Sequence, residues 1–299
     1  MRKLLHGWIW APPLLLSSAD AWAWGLYTHV HFAQLLLWSI PLLDPGFRQA
    51  LLRFPRRVLA GACLPDLSLF GRRAGTRAFD VTHQWGTAGR LLRDSRDDGE
   101  RALALGFASH LLVDVIAHNH FVPSHEDLWL DVPVLTHAVS EWAMDHHLSR
   151  GVLARPQRLL REDLPGIVRF AGDHFGCGAV EAKRAVVYLA RGELALRGSG
   201  LPEACYRWAR ALDPRVRQRF DYYLGETGRR LHDINRILAG ERPAWQAEVP
   251  AERESIASGE ALARLLEDQR PLPLDLFYRL RETSATAAPM AAPASTSLG

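Results

Sequence analysis

The stretches GFASHLLVDVIAHNHF, residues 106–121, and PVLTHAVSEWAMDHHL, residues 133–148, decide the fold of this chain. In the first, His110, Asp114 and His118 recur at i, i+4 and i+8, a spacing that stacks them along one face of an α-helix. Their neighbours Leu111, Leu112, Val113, Val115 and Ile116 are apolar, so the helix is expected to be buried nearly all round. In the second, His137 and Glu141 repeat the i, i+4 spacing, with Asp145 one turn further on. A buried carboxylate or imidazole without a partner is costly. Imidazole nitrogens and carboxylate oxygens are the usual non-cysteine ligands of zinc, and a carboxylate can bridge two ions. Either helix alone reads more readily as a salt bridge or a core pair; two of them joined by a short connection point to a metal cluster.

Outward from these segments helical periodicity continues, with no run of alternating strands, and the class is all-α. Helices are expected over 27–40, 46–63 with a break near Pro55, 83–94, 98–121 and 133–149. Further ones follow over 164–175, 179–195, 202–212 and 214–238. Residues 41–45, 65–82 and 122–132 carry the proline and glycine punctuation of loops. The organisation expected is a leader over 1–23, a histidine-rich helical core over 24–150, C-terminal helices over 151–282 packed on that core, and a tail over 283–299. The tail, built of Ala, Ser, Thr and Pro without periodicity, reads as disordered.

Arg2 and Lys3, the apolar stretch from Leu4 to Leu16 and the A-x-A pattern Ala21-Trp22-Ala23 have the form of a secretory leader cleaved after Ala23. Pro12 and Pro13 interrupt the apolar stretch, which is shorter than the ~20 residues a membrane span needs. The expected location is secreted or periplasmic. Removing Arg2, Lys3 and Asp20 from the 36 basic and 33 acidic residues leaves a net charge of +2, which predicts no bulk attraction to nucleic acid and no stable complex with it. The three cysteines, Cys63, Cys177 and Cys205, have none of the short spacings of zinc ribbons. A Cys177–Cys205 disulfide and free buried thiols are both compatible with an oxidising compartment.

Ten of the thirteen histidines lie between His29 and His147, in less than half of the chain. Cleavage after Ala23 leaves a mature chain that begins WGLYTHVHFAQ. A free α-amine and its own carbonyl oxygen can chelate one ion in a five-membered ring, and His29 follows within a turn or two. Here the sequence resembles the zinc-dependent phospholipases C, related to the fungal three-zinc single-strand nucleases. Members start with Trp followed by His, and then supply Asp, His, His-x3-Asp, His and His-x3-Glu or Asp in that order. The matching residues are Trp24 and His29; Asp66 in GACLPDL; His83 in THQW; His110 and Asp114; His118 or His120; and His137 and Glu141. The resemblance covers roughly residues 24–147.

That resemblance implies a compact multi-helix bundle holding three zinc ions. One would be held by Asp66, His83, His110 and Asp114, a second by His118, His137 and Glu141, and a third by Trp24, His29 and Asp114, which then bridges. His118 keeps the helix face of Asp114; His120 stands about 160° from it at 100° per residue and would serve only if the helix ended before it, an early end that Pro123 makes conceivable. His31, His125, Asp145, His146 and His147 are expected as supporting, surface or core residues, and Trp85 and Trp142 as packing beside the site. The implied chemistry is attack of zinc-activated water on phosphorus, with Asp66 as a ligand that also orients or deprotonates that water. Arg72, Arg73 and Arg77 either wall the substrate site or belong to a solvated basic loop. The implied substrate is a phospholipid, cut to diacylglycerol and a phosphorylated head group after transient contact with a membrane surface. A nuclease or nucleotide phosphodiesterase is the alternative, and a non-catalytic zinc-binding protein a third.

Overall fold

The computed structural model describes residues 25–38, 44–126, 129 and 133–240, all of them helical or in the connections between helices. The expected leader, Trp24, residues 241–282 and the tail lie outside the described residues. In chain order the helices are α1 (Leu26–Trp38), α2 (Pro45–Arg53), α3 (Pro55–Gly61), α4 (Ser68–Ala74), α5 (Trp85–Asp94), α6 (Asp98–Ile116), α7 (Val122–Glu126) and α8 (Pro133–Leu148). After them come α9 (Pro156–Glu162), α10 (Leu164–Phe175), α11 (Ala179–Ser199), α12 (Leu201–Leu212), α13 (Val216–Arg230) and α14 (Ile234–Leu238). No described helix is long and apolar enough to cross a membrane.

Helix α6 is the axis of the molecule. Its start is fixed by two hydrogen bonds: the Asp97 carboxylate accepts the Glu100 N–H at 2.8 Å, satisfying one free donor of the first turn, and Glu100 reaches back to the Arg96 N–H at 2.9 Å, holding the chain that enters the helix. Beyond that turn every residue except Arg101 is buried, as the apolar flanks of His110 and Asp114 predict. Helices α1, α2, α3, α5 and α13 all pack on it. The closest approach is to α3, where glycines remove the side chains between the two backbones. A Cβ at Gly106 would stand 2.0 Å from the Val58 carbonyl oxygen, and one at Gly61 would stand 2.2 Å from that of Leu103.

At its C-terminal end α6 widens into a π-helical turn, Ala117–Phe121, where the Val122 N–H returns to the Ala117 carbonyl. Proline inside a helix lacks an N–H and presses on the carbonyl four residues back. The wide turn accommodates Pro123 in this way and lets the chain run on as α7. The loop expected over 122–132 therefore begins as helix, and the helix does not end before His120. The loop expected over 65–82 likewise contains a 3-10 turn at Pro65–Leu67 and then α4, which stops at Gly75 in the left-handed conformation, φ 98°. Helix α9, absent from the sequence expectation, begins on Pro156. All three cysteines are free, so the disulfide alternative is excluded here.

The segment after residue 151 shares the core of the first half. Helix α12 lies against α8, and α11 lies against α4, α9 and α10. One contiguous apolar cluster runs from Leu26 and Val30 on α1 to Ile234 and Ile237 on α14. Overpacking a close helix crossing typically costs about 1–3 kcal/mol. Gly106→Ala should therefore lower the unfolding free energy of zinc-loaded protein by that amount, read as a lower urea midpoint at an unchanged slope; an unchanged midpoint would show that α3 and α6 do not touch through their backbones.

Candidate metal centre

Eight expected donors fall within the described residues, and the fold gathers them into three adjoining sets. His29, His110 and Asp114 form one; Asp66, His83 and His110 another; His118, His137 and Glu141 the third, each with one donor atom per residue inside 4.8 Å of the others. Three helices and three turns deliver them. Helix α1 brings His29 in its first turn, the 3-10 turn Pro65–Leu67 brings Asp66, and the turn before α5 brings His83. Helix α6 brings His110 and Asp114, the π-turn brings His118, and α8 brings His137 and Glu141.

Asp114 stands at the middle, with a side chain that is 0% exposed. Its Oδ1 lies 3.4 Å from His29 Nε2, while its Oδ2 lies 3.1 Å from His110 Nε2 and 3.8 Å from His83 Nε2. The two oxygens thus face different imidazoles. Asp66 Oδ1 is 3.7 Å from His83 Nε2 and 3.9 Å from His110 Nε2. Glu141 Oε1 is 2.8 Å from His137 Nε2, and the rings of His118 and His137 stand 5.3 Å apart. Donors about 2.0–2.1 Å from a tetrahedral zinc are roughly 3.4 Å from one another, so most of these separations are the spacing of ligands around a shared ion.

The local folding fixes the donors before any ion arrives. The Ala62 carbonyl accepts from His110 Nδ1 at 2.8 Å, which assigns the proton to that nitrogen and leaves Nε2 turned to the cluster. The Thr82 hydroxyl donates to the Pro65 carbonyl at 2.6 Å, tying the turn of His83 to the turn of Asp66. The rings of His29 and His110 are stacked with centroids 3.5 Å apart.

What the cluster lacks is a satisfying protein partner. Asp66 Oδ1, both oxygens of Asp114, His83 Nε2 and His110 Nε2 are buried atoms without a hydrogen-bond partner. Among the described residues no lysine or arginine pairs with Asp66, Asp114 or Glu141. Buried polar atoms that converge on each other and on nothing else fit a group of cations, and the nitrogen and oxygen donor set is the one zinc takes.

Burial sets the protonation of the metal-free chain. It raises the Asp66 carboxyl to about 8, an effect partly opposed by His110 and reinforced by Asp114, Glu141 and Asp145. It raises Asp114 to about 7 against His83 and His137, and Glu141 to about 7 against His137. His118 is held well below its ordinary value by burial and then by the neighbouring imidazoles of His137, His83 and His110. These carboxyls keep protons at neutral pH that a cation must displace, whereas the imidazoles are already neutral and ready to donate.

Of the two alternatives after Asp114, the structure brings His118 to His137 and Glu141. His120 is half-buried, within reach of the charges of Arg230 and Glu226 on α13. The widened turn is what keeps His118 beside α8. Trp24 lies outside the described residues. Among the remaining histidines, His125 is fully buried, with Nδ1 2.6 Å from the Phe121 carbonyl, and His147 Nε2 lies 3.0 Å from Asp221 Oδ1. His146 lies against Tyr206, and His31 sits edge-on to Phe32. Trp142 is buried in the core and Trp85 packs against it. Arg72 and Arg77 are exposed and paired with Asp80, and Arg73 lies over Tyr188, which is the solvated alternative for that segment. Asp145 was expected only as a supporting, surface or core residue; it accepts backbone donors at the start of α1. No periodicity within α8 could have shown that partner, which lies 117 residues away in sequence.

Residues 28–164 match the family model described as zinc dependent phospholipase C. No curated protein and no solved structure matches the chain.

Two outcomes follow from the geometry. Because one Asp114 oxygen faces each of two donor sets, Asp114→Asn should reduce bound zinc by more equivalents than Glu141→Gln, as measured by metal analysis after gel filtration; equal losses would show that Asp114 does not bridge. The second concerns pH. Between about pH 7 and 8.5 the unfolded chain has its carboxylates ionised and its histidines mostly neutral. The folded metal-free chain still holds protons on Asp66, Asp114 and Glu141, and on Glu193, which burial raises to about 7. The native state binds more protons there, so its stability must fall as pH rises through that window. The Tm of chelator-treated protein should drop from about pH 7 to 8.5 while the increment gained on adding zinc grows; a flat or rising Tm would contradict the buried protonated carboxyls.

Proposed function

We propose, since residues 28–164 belong to the zinc-dependent phospholipase C family, that this protein is an exported phosphodiester hydrolase with three zinc ions that cuts a phospholipid into diacylglycerol and a phosphorylated head group. Three adjoining donor sets pivoting on Asp114 support it. The set of His118, His137 and Glu141 offers three protein donors rather than four. Structural zinc sites are usually closed by four protein ligands, whereas catalytic ones keep a position for water or substrate.

When bound, zinc supplies Lewis acidity that polarises phosphoryl oxygens and acidifies water towards ~7. The chain supplies the rest. In this proposal Asp66, His83, His110 and Asp114 hold one ion, His118, His137 and Glu141 a second, and His29, Asp114 and the amine and carbonyl of Trp24 a third. Asp66 serves as ligand and as the acceptor that orients and deprotonates the attacking water. The proton leaves with the alkoxide product, and the phosphorus–oxygen bond to diacylglycerol breaks as the new one forms, so no covalent enzyme intermediate is required. His110, anchored by the Ala62 carbonyl, and the tied turns of Asp66 and His83 keep the donors from reorganising as charge develops on the phosphoryl oxygens. A lipid substrate implies transient contact with a membrane surface. The net charge of +2 without the leader favours a small phosphodiester over a polynucleotide, whose binding relies on neutralising many phosphates.

Zinc-loaded protein incubated with phosphatidylcholine vesicles should release phosphocholine, and excess chelator should abolish the release. Asp66→Asn should lower kcat by roughly 10²–10⁴-fold. Release of nucleotides from single-stranded DNA in place of phosphocholine would reassign the substrate to nucleic acid, and no hydrolysis of either by fully loaded protein would remove the hydrolase assignment.

A further inference from the structure

The first turn of α1 is closed by a carboxylate from another helix. Its N-cap position is Gly25, which has no side chain to offer the free N–H groups that every helix start exposes. Asp145, fully buried on α8, fills that role. Its Oδ1 accepts from the Thr28 N–H at 2.9 Å and the Thr28 hydroxyl at 2.8 Å, and its Oδ2 accepts from the Tyr27 N–H at 3.3 Å. The fit leaves room for glycine alone, because a Cβ at Gly25 would stand 2.1 Å from Asp145 Oδ2. A negative charge is also favoured there by the helix dipole.

The charge of Asp145 is balanced from the C-terminal half. Arg197 on α11 pairs with Asp145, while its Nε donates to Glu193 at 2.7 Å and its guanidinium carbon lies 4.2 Å from the centre of the Tyr27 ring. Three helices distant in sequence meet at residues 25–28. The next residue is His29, whose Nε2 lies 3.4 Å from Asp114 Oδ1.

We propose that Asp145, braced by Arg197, is a positioning residue that clamps the backbone of residues 25–28 and thereby sets where the first turn of α1 meets the metal centre. It touches no donor atom of the centre itself. Its effect passes through Thr28 to His29, and it gives helix α11 a task in the first half of the molecule. The proposal rests on the zinc-bound centre described above.

A clamp and a plain structural brace differ in which ion they affect. Loss of a residue that orients a ligand typically weakens metal binding about 10–100-fold. Titrating chelator-stripped protein with zinc should show one class of site weakened by that factor in Asp145→Ala, the others unchanged, and faster amide hydrogen exchange at Tyr27 and Thr28. Asp145→Asn, which keeps an acceptor for Thr28 but loses the charge facing Arg197, should fall between wild type and alanine. Should the alanine variant not fold, Asp145→Asn and Arg197→Gln, read in the same titration, carry the test. Wild-type affinity at every site in the variants, or an equal weakening at all sites, overturns the clamp. A wild-type chain that takes up no zinc overturns the metal centre beneath it and the clamp with it.

Discussion

The structure depends on one carboxylate in the wrong place. Asp114 sits in the most buried helix of the molecule, with no exposed surface and no lysine or arginine against it among the described residues. An ion in that position is unstable unless charge of the opposite sign is brought to it. The fold brings imidazoles instead of cationic side chains: His29 from α1, His83 from the turn before α5 and His110 from the turn below on the same helix. Neutral imidazoles cannot balance carboxylates by themselves. The arrangement is one that a set of divalent cations completes, and it binds protons while they are absent.

The same constraint explains how the helices are ordered around α6. Donors on an α-helix hold their mutual spacing because the backbone ladder holds it, so His110 and Asp114 form a fixed edge against which the others must register. Asp66 and His83 arrive on less regular chain, and their two turns are tied by a hydrogen bond. The Thr82 hydroxyl joins the turns of His83 and Asp66, the Ala62 carbonyl fixes the ring of His110, and the glycine contacts at Gly61 and Gly106 bring α3 close enough for that carbonyl to reach it. Burying this many polar atoms weakens the metal-free chain, which couples metal binding to folding. Apolar packing extends the support well beyond the centre, since α11 and α12 share a continuous core with α1, α6 and α8.

Much of this was legible in the sequence because it is local. The i, i+4 spacings in 106–121 and 133–148 place His110 with Asp114 and His137 with Glu141 whatever the rest of the chain does, and the apolar residues between them announce burial. The histidine crowding and the order Asp66, His83, His110, Asp114 carried the resemblance that the family match supports over residues 28–164. The errors lie where local rules compete. Residues 122–132 read as a loop, but a widened turn carries the helix past Pro123, with His118, the preferred of the two histidines, on the centre's side. Pro65 and the arginines suggested a loop where a 3-10 turn and α4 form. Asp145 looked like one more polar residue on α8, although it closes the first turn of α1.

By itself the sequence determined the helical class, the burial of α6 and the pairs of donors within one helix, because those follow from a periodicity of 3.6 residues and need no knowledge of neighbours. Tertiary structure alone decided that the sets of donors adjoin, that the two Asp114 oxygens face different imidazoles, and that Asp145, paired with Arg197, closes the first turn of α1. Contacts of that kind span about a hundred residues and depend on the directions in which packed helices cross, which are set by the volumes of side chains and the gaps left by glycines and are not written in any one segment.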